Sequence, residues 1–444
     1  MCAGIWGFCS ISGGRTMKKI KSIASVAMLA AGLGFSGQAA YAADISFMSF
    51  SYAEEAAKPS VEALLKGFEA QTKLTVEPLG YAWGDMQKNI FLRSRSKTLP
   101  SVAQLSERWL PSFANVAGLV DLNEVYGKDK LAAIFAPDAL AMGQIGSKQY
   151  ALPLISGSIG LIANKAVLEK AGVTKTPTTI EEFRSALVAV RDKVPNSVPY
   201  TMATKNNGSI LLDFMIWTWT FGGEIIDEQG KVKIGNGDAG KQALGFMVSL
   251  MKDRLAAPEI DRPDARRLVA QGASAFFFDA PQARTHLRSF SGQGPAFDAN
   301  VLPLSTPVAV AGKEPASIQW GHLLVQFSAD GKAKADAPAS QFITYLTSDD
   351  AQSKFPLEQS ALPVTKSARA NPKVTGDAFL TAWAKAAGNP RRNEVGIWPN
   401  AAELTQIIGE EAQGALLGQK SVDDAIQAMH KRLETSMANV NKQN

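Results

Sequence analysis

From Ala43 onward, short runs of apolar residues alternate with longer segments in which apolar positions recur every three to four residues. The first run, Ile45 to Phe50, has the length of a strand. After it come Val61, Leu64, Leu65 and Phe68 at i, i+3, i+4 and i+7, the stripe of a helix with one buried face, with Pro59 near its start, where a missing N–H costs nothing. Thr75 to Leu79 and Val102 to Leu105 read as the second and third strands. Together they make a βαβαβ opening, whose connections should be right-handed crossovers. Ile159 to Ala163, Ala275 to Phe278 and Trp320 to Phe327 are continuous apolar runs, the pattern of strands covered on both faces. Thr179-Ile180-Glu181-Glu182 has the form of a capping box opening a helix with Phe183, Leu187 and Val190 inward. Asp238 is placed to cap a helix carrying Leu244, Met247, Val248 and Met251. The last third is helical, with stripes at Phe342, Ile343 and Leu346, at Leu404, Ile407 and Ile408, and, behind a Ser421 cap, at Val422, Ala425, Ile426, Met429 and Leu433. Strands alternating with helices, and no internal repeat, predict an α/β fold.

Length then sets the number of cores. At 444 residues, 46% of them hydrophobic and 20% charged, the chain is globular and long enough for two or three domains. Its formal charge of +5 would suggest nucleic acid, but Arg15, Lys18, Lys19 and Lys21 lie in residues 1–42, which hold no acids. Beyond them 42 basic side chains face 41 acidic ones, so the footprint of a phosphate-backbone binder is missing and no nucleic-acid partner is expected. Within 17–42, a basic start at Met17, an apolar run from Ile23 to Phe35 and the small residues Ala39 to Ala43 predict a secretory signal peptide cleaved after Ala42, with residues 1–16 as an upstream extension from a misplaced start. Thirteen apolar residues are too few for a membrane span. Both cysteines, Cys2 and Cys9, fall in this leader, so the exported chain is expected to have no disulfide, no thiol nucleophile and no lipid attachment, which points to a periplasm.

Signals for catalysis are absent. His286, His322 and His430 are far apart and not at metal-ligand spacing, so no metal or cofactor is expected; His322 and His430 read as structural or surface histidines. No GxSxG or GxxxxGK[ST] occurs, and Gly222-Gly223 reads as a turn. The distinctive feature is the tryptophans. Trp83 follows the second strand, Trp109 the third, Trp320 opens a strand and Trp398 precedes Pro399. Open α/β sheets bind ligands at the carboxyl ends of their strands, where flat rings stack on the C–H face of a sugar while acids, amides and arginines take its hydroxyls.

Several segments in a fixed order carry a resemblance. They are Gln149-Tyr150-Ala151-Leu152-Pro153; Asn164-Lys165 through Ala171-Gly172 to Pro177 to Phe183; Phe221-Gly222-Gly223-Glu224 with the turn from Asp227 to Val232; Ala273 to Pro281; the helix pair from Phe342 to Phe355; Ala361-Leu362-Pro363-Val364; and Gly418 to Ala425. The chain resembles, along essentially its whole exported length, the extracellular solute-binding proteins of carbohydrate ABC uptake systems, the family of the maltose and other sugar binders. The resemblance implies two α/β lobes, each a sheet sandwiched by helices, joined by hinge-crossing strands: 43–156 with 303–360, and 157–302 with 361–444. Such lobes close on a ligand only if it touches both of them.

The same resemblance implies the site. The first lobe should supply Tyr52, Tyr81, Trp83, Glu107, Arg108 and Trp109, the second Ser156 and Ser158 near the hinge, Trp217, Asp279 and Trp398, with Trp320 near a crossing. Of Trp217 and Trp219, two apart, at most one should reach the cleft and the other should be core. Where relatives often have an Asn-Gly-Pro-Trp-like sequence, this chain has Asp279-Ala280-Pro281-Gln282; the loss of that stacking ring argues against a maltodextrin-like solute. The implied function is capture of a sugar by a monomer and its delivery to the transmembrane subunits of an ABC permease, with no reaction catalysed. Two readings compete with it. One is a binder of a polyol or a glycerol phosphodiester; the other is a secreted carbohydrate-active enzyme using Glu107 and Asp279 as an acid/base pair.

Overall fold

The computed structural model describes residues 43–441 except Asn207, so the predicted leader and both cysteines lie outside the described residues. Eight strands form the principal sheet: β1 (Ile45–Ser49), β2 (Val76–Gly80), β3 (Val102–Ser106), β4 (Leu152–Asn164), β5 (Val198–Tyr200), β6 (Ser274–Asp279), β7 (Val301–Leu304) and β8 (Ile318–Gln326). Their order is β2-β1-β3-β8-β4-β6-β5, with β7 also paired to β4. The opening strands β2, β1 and β3 are parallel, as the βαβαβ reading requires. Antiparallel β8 runs between β3 and β4.

β4 organises the molecule. Over Leu152 to Ile159 it pairs with β8, and from Gly160 on it pairs with β6 on one edge and, from Leu161, with β7 on the other. One thirteen-residue strand thus belongs to two sectors of sheet and changes partners at Ile159/Gly160. Gly157 sits just before the change, opposite Trp320; a Cβ there would lie 3.1 Å from Pro281 and 3.3 Å from the Trp320 ring. Glycine lets the indole and the proline close over the strand at this point. A second connection runs beside it, where Ser156 and Leu362 exchange N–H···O bonds of 2.9 Å in both directions.

Helices cover each sector. α1 (Lys58–Thr72) buries Val61, Leu65 and Phe68, and Phe68 meets Phe342 of α7 (Pro338–Leu346) edge to face at 5.0 Å. α2 (Ile180–Lys193) starts at Thr179, whose hydroxyl accepts from the Glu182 N–H at 3.3 Å. The reciprocal half of the expected capping box is displaced by one residue, because the Glu182 carboxylate accepts from the N–H and hydroxyl of Thr178. α3 (Ser209–Thr220) is buried along almost its whole length and packs against α4 (Ala239–Lys252) and α8 (Ala401–Leu416). Asp238 precedes α4, but its side chain makes no capping bond, since its backbone is already helical there. α4 turns Ala243, Leu244, Met247 and Leu250 inward, leaving Val248 and Met251 half-buried, a stripe rotated slightly from the expected one. α9 (Val422–Asn441) begins at Ser421, whose Oγ accepts from the Asp424 N–H at 3.1 Å. Two short helices complete the frame of the site, α5 (Arg262–Ala270) and α6 (Ala283–Phe290).

Candidate functional site

A cavity of about 600 Å³ opens where β4 changes partners, with Ile159 on its wall. This is the size range of a small-molecule site. Chain segments leaving the carboxyl ends of four strands line it: Phe50 and Glu54 after β1, Trp83 after β2, Arg108 after β3, and Asp279 at the end of β6. Trp320 and His322, two apart and so on one face of β8, form part of the wall. From the other sector come Arg262 and Arg266 on the first turns of α5, and His286 of α6. Asp261 caps α5 by accepting from the Asp264 N–H, and the i, i+4 spacing puts both arginines on one face of that helix.

Charge in this cavity is largely paired, but not fully. Arg266 holds Asp279 with two bonds, Nε to Oδ2 at 2.8 Å and Nη2 to Oδ1 at 3.2 Å, and Asp279 also accepts from the Ala280 N–H. Arg262 donates through Nη2 to the fully buried Asp213, which also accepts from the Tyr200 hydroxyl and the Ala203 N–H. Gln104 gives one amide hydrogen to Ser51 and the other to His322 Nδ1, which leaves the His322 proton on Nε2. Burial, with Arg108 and Arg266 nearby, holds His322 down to about 3, so the ring is neutral. His286 is likewise held well below the usual histidine range by burial and by Arg266. Burial pushes the Glu54 carboxyl up to about 7 against the pull of Arg266. Four buried polar atoms on these walls have no hydrogen-bond partner: Glu54 Oε2, Arg108 Nη1, Arg262 Nη1 and His286 Nε2. Each such atom costs about 1–3 kcal/mol, which a polar ligand with several donors and acceptors would recover.

Of the twelve residues expected at a site, the structure brings four to this cavity: Trp83, Arg108, Asp279 and Trp320. Trp109 is next door. It stacks obliquely on Trp83 at 4.8 Å and lines a smaller cavity of about 380 Å³ with Trp83, Arg108, Asn206 and Thr405. The remaining seven correct the sequence reading. Trp217 is fully buried among Phe183, Tyr200, Phe246 and Phe278, because helix α3 is buried along nearly its whole length; Trp219 is buried as well, so neither reaches the cleft. Ser158 accepts from the Trp383 indole N–H, and Ser156 accepts from Arg369. Tyr52 lies under the Lys58 ammonium, and the Tyr81 hydroxyl accepts from Arg93. Trp398 donates to the Glu394 carbonyl and packs against Gly230 and Met437. Glu107 faces a narrow crevice with Asn393, where its carboxylate accepts from Ser106 and the Gly321 N–H; it does not share a cavity with Asp279, and no acid/base pair is formed.

Sequence reasoning missed Glu54, Arg262, Arg266 and His286, and took His322 for a structural residue. A signal existed for the arginines: Asp261 followed by Arg262, Pro263 and Arg266 is a capped helix start with two cations on one face. Among the described residues no group of three or more His, Cys, Asp or Glu is placed to hold a metal ion, and no helix is long and apolar enough to cross a membrane.

Known proteins share this fold. The chain is 24% identical over 335 residues to the diacetylchitobiose binding protein DasA of Streptomyces coelicolor, covering 73% of this chain and 74% of that one. An ABC transporter solute-binding protein of Thermotoga lettingae, bound with alpha-D-tagatose, superposes with a TM-score of 0.78 at 19% identity over 88% of this chain and 99% of that one. The GacH receptor of Streptomyces glaucescens, solved unliganded and with acarbose, superposes with a TM-score of 0.76 at 22% identity over 88% and 98%. These likenesses establish the two-lobed α/β fold of solute-binding proteins. The profile of the bacterial extracellular solute-binding proteins matches residues 52–353, and the chain belongs to that family.

Proposed function

We propose that the protein captures a carbohydrate outside the cytoplasm in the cavity at the β4 partner change and delivers it intact to the transmembrane subunits of an ABC permease. The observation that carries this reading is the composition of the cavity wall. Indole rings (Trp83, Trp320) alternate there with buried donors and acceptors that have no protein partner, contributed from both sectors of the sheet. Rings for the C–H face and polar groups for the hydroxyls are what a sugar needs. The sugars named for DasA, for the tagatose-bound protein and for GacH support the same class.

Closure would be a hinge motion about β4 and the Ser156–Leu362 connection, the first lobe being 43–156 with 303–360 and the second 157–302 with 361–444. The pairing of Leu304 with Leu161 and the bond from the Val308 N–H to Thr178 support a crossing slightly after 308 rather than at 303. Capture without reaction is favoured by the placement of the two acids: Glu107 faces its own crevice, while Asp279 lies in the cavity with both oxygens held by Arg266.

Thermal denaturation of the exported chain with a panel of sugars tests the reading. A ligand at a hundred times its dissociation constant adds about 2.7 kcal/mol to the folded state, so at least one sugar should raise the melting temperature and be recovered unchanged. A panel without any shift, or a sugar returned cleaved, would reject it.

A further inference from the structure

Arg108 is unusual among the cations of the cavity. Among the described residues it makes no ion pair and no side-chain hydrogen bond; its guanidinium rests on the face of Trp83, 4.9 Å from the ring centroid, with Nη1 buried and unpartnered. The acid beside it in sequence, Glu107, accepts through Oε2 from the Ser106 hydroxyl and the Gly321 N–H rather than from Arg108, and burial raises that carboxyl, which weakens it as a counter-charge. Across the cavity, Arg262 spends Nη2 on Asp213 and leaves Nη1 buried and free of any bond. Burial disfavours protonation of Arg108 and the charge of Glu107 favours it, while Arg262 and Asp279 across the cavity act on it with opposite signs.

The other acids on the wall are engaged or set apart. Asp279 is held by Arg266, Asp261 caps α5 and pairs with Lys205, Glu54 faces His286 Nε2 at 3.6 Å, and Glu55 is exposed at the rim. Two like charges therefore meet across the cleft, one from behind β3 and one from α5, each with a donor pointing at no acceptor. Planar guanidinium forks suit carboxylate and phosphate oxygens.

We infer that the sugar taken by this cleft carries an acidic group, a carboxylate or a phosphate, and that this group sits between Arg108 and Arg262. The inference rests on the sugar-binding reading and narrows it. An anion in that position is attracted from both lobes at once, so its charge favours the closed arrangement.

Calorimetric titration with matched pairs tests it: glucose against glucuronate, galactose against galacturonate, glucose against glucose 1-phosphate, and trehalose against trehalose 6-phosphate. An acidic member should bind about tenfold tighter or more than its neutral counterpart, the effect of a charge-assisted bond. The carboxylate and phosphate pairs separate the two sources of charge, and a preference in either supports the inference. In Arg108→Gln the ratio of acidic to neutral affinity should fall to about one, whatever the absolute affinities. Arg108→Lys should keep part of it. Arg262 is a poorer choice for substitution because it anchors the buried Asp213, but the wild-type ratios decide the matter without any variant. Neutral sugars binding as tightly as their acidic partners would overturn the inference and leave the sugar reading standing; no binding by any member of either set would overturn both.

Discussion

At the level of single residues, the cavity shows how a buried polar wall is held ready. The Asp279–Arg266 pair is 7% and 13% exposed, so removing the acid strands a buried guanidinium. Asp279→Ala should therefore lower folding stability by roughly 3–5 kcal/mol as well as abolish binding, and chemical denaturation reads the first effect independently of the second. Glu54 makes a separate prediction about pH. Its carboxyl stands at about 7 in the folded protein against 4.5 unfolded, so between these values the folded state holds more proton and stability falls as pH rises. The histidines act in the opposite direction: His322, at about 3 when folded against 6.5 unfolded, makes stability fall as pH drops below 6.5. Below pH 6.5 the two slopes oppose each other, so Glu54→Gln should steepen the rise of melting temperature between pH 4.5 and 6.5 and remove its decline between 6.5 and 7; an unchanged profile would place Glu54 outside the buried set. Strand-end positions were legible in the sequence, and four of them, Trp83, Arg108, Asp279 and Trp320, line one cavity. Trp217 misled because an indole in a fully buried helix has the same signature as one at a site until the neighbours of α3 are known.

Elements followed the hydrophobic pattern wherever the run was long. β1, β2, β3, β6 and β8 lie within a residue or two of their expected bounds. The two strands of the principal sheet missed by pattern contain proline: Pro199 in β5 and Pro303 in β7. Proline has no N–H for the ladder, and both strands occupy places that tolerate this, β5 at the end of the sheet and β7 paired to β4 alone. The first half of β4 was hidden for a related reason, since Pro153 and Gly157 interrupt the run. Caps were more variable. Thr179 caps α2 whereas Asp238 does not cap α4, so a capping sequence needs the preceding backbone to be extended before it acts. Thr179→Ala should cost about 1 kcal/mol of stability, measured by denaturant titration, with ligand affinity unchanged, because the start of α2 contributes nothing to the cavity.

For the whole molecule, the account rests on one strand serving two sectors of sheet. The break in β4 pairing at Ile159/Gly160 places the carboxyl ends of β1, β2 and β3 opposite the end of β6, with α5 and α6 closing the far side. The sequence made the α/β alternation readable, but not the arginines of α5 or His286 of α6. Those belong to helices whose faces are set only by how the second sector folds, and no local spacing tells which face meets the cleft. A crystal structure with the sugar that gives the largest thermal shift is the most direct test. The account predicts an intact molecule in the cavity beside Ile159, touching Trp83 or Arg108 on one side and Arg262, Arg266 or Asp279 on the other. A sugar bound elsewhere, contacting one side alone, or cut into products would contradict it.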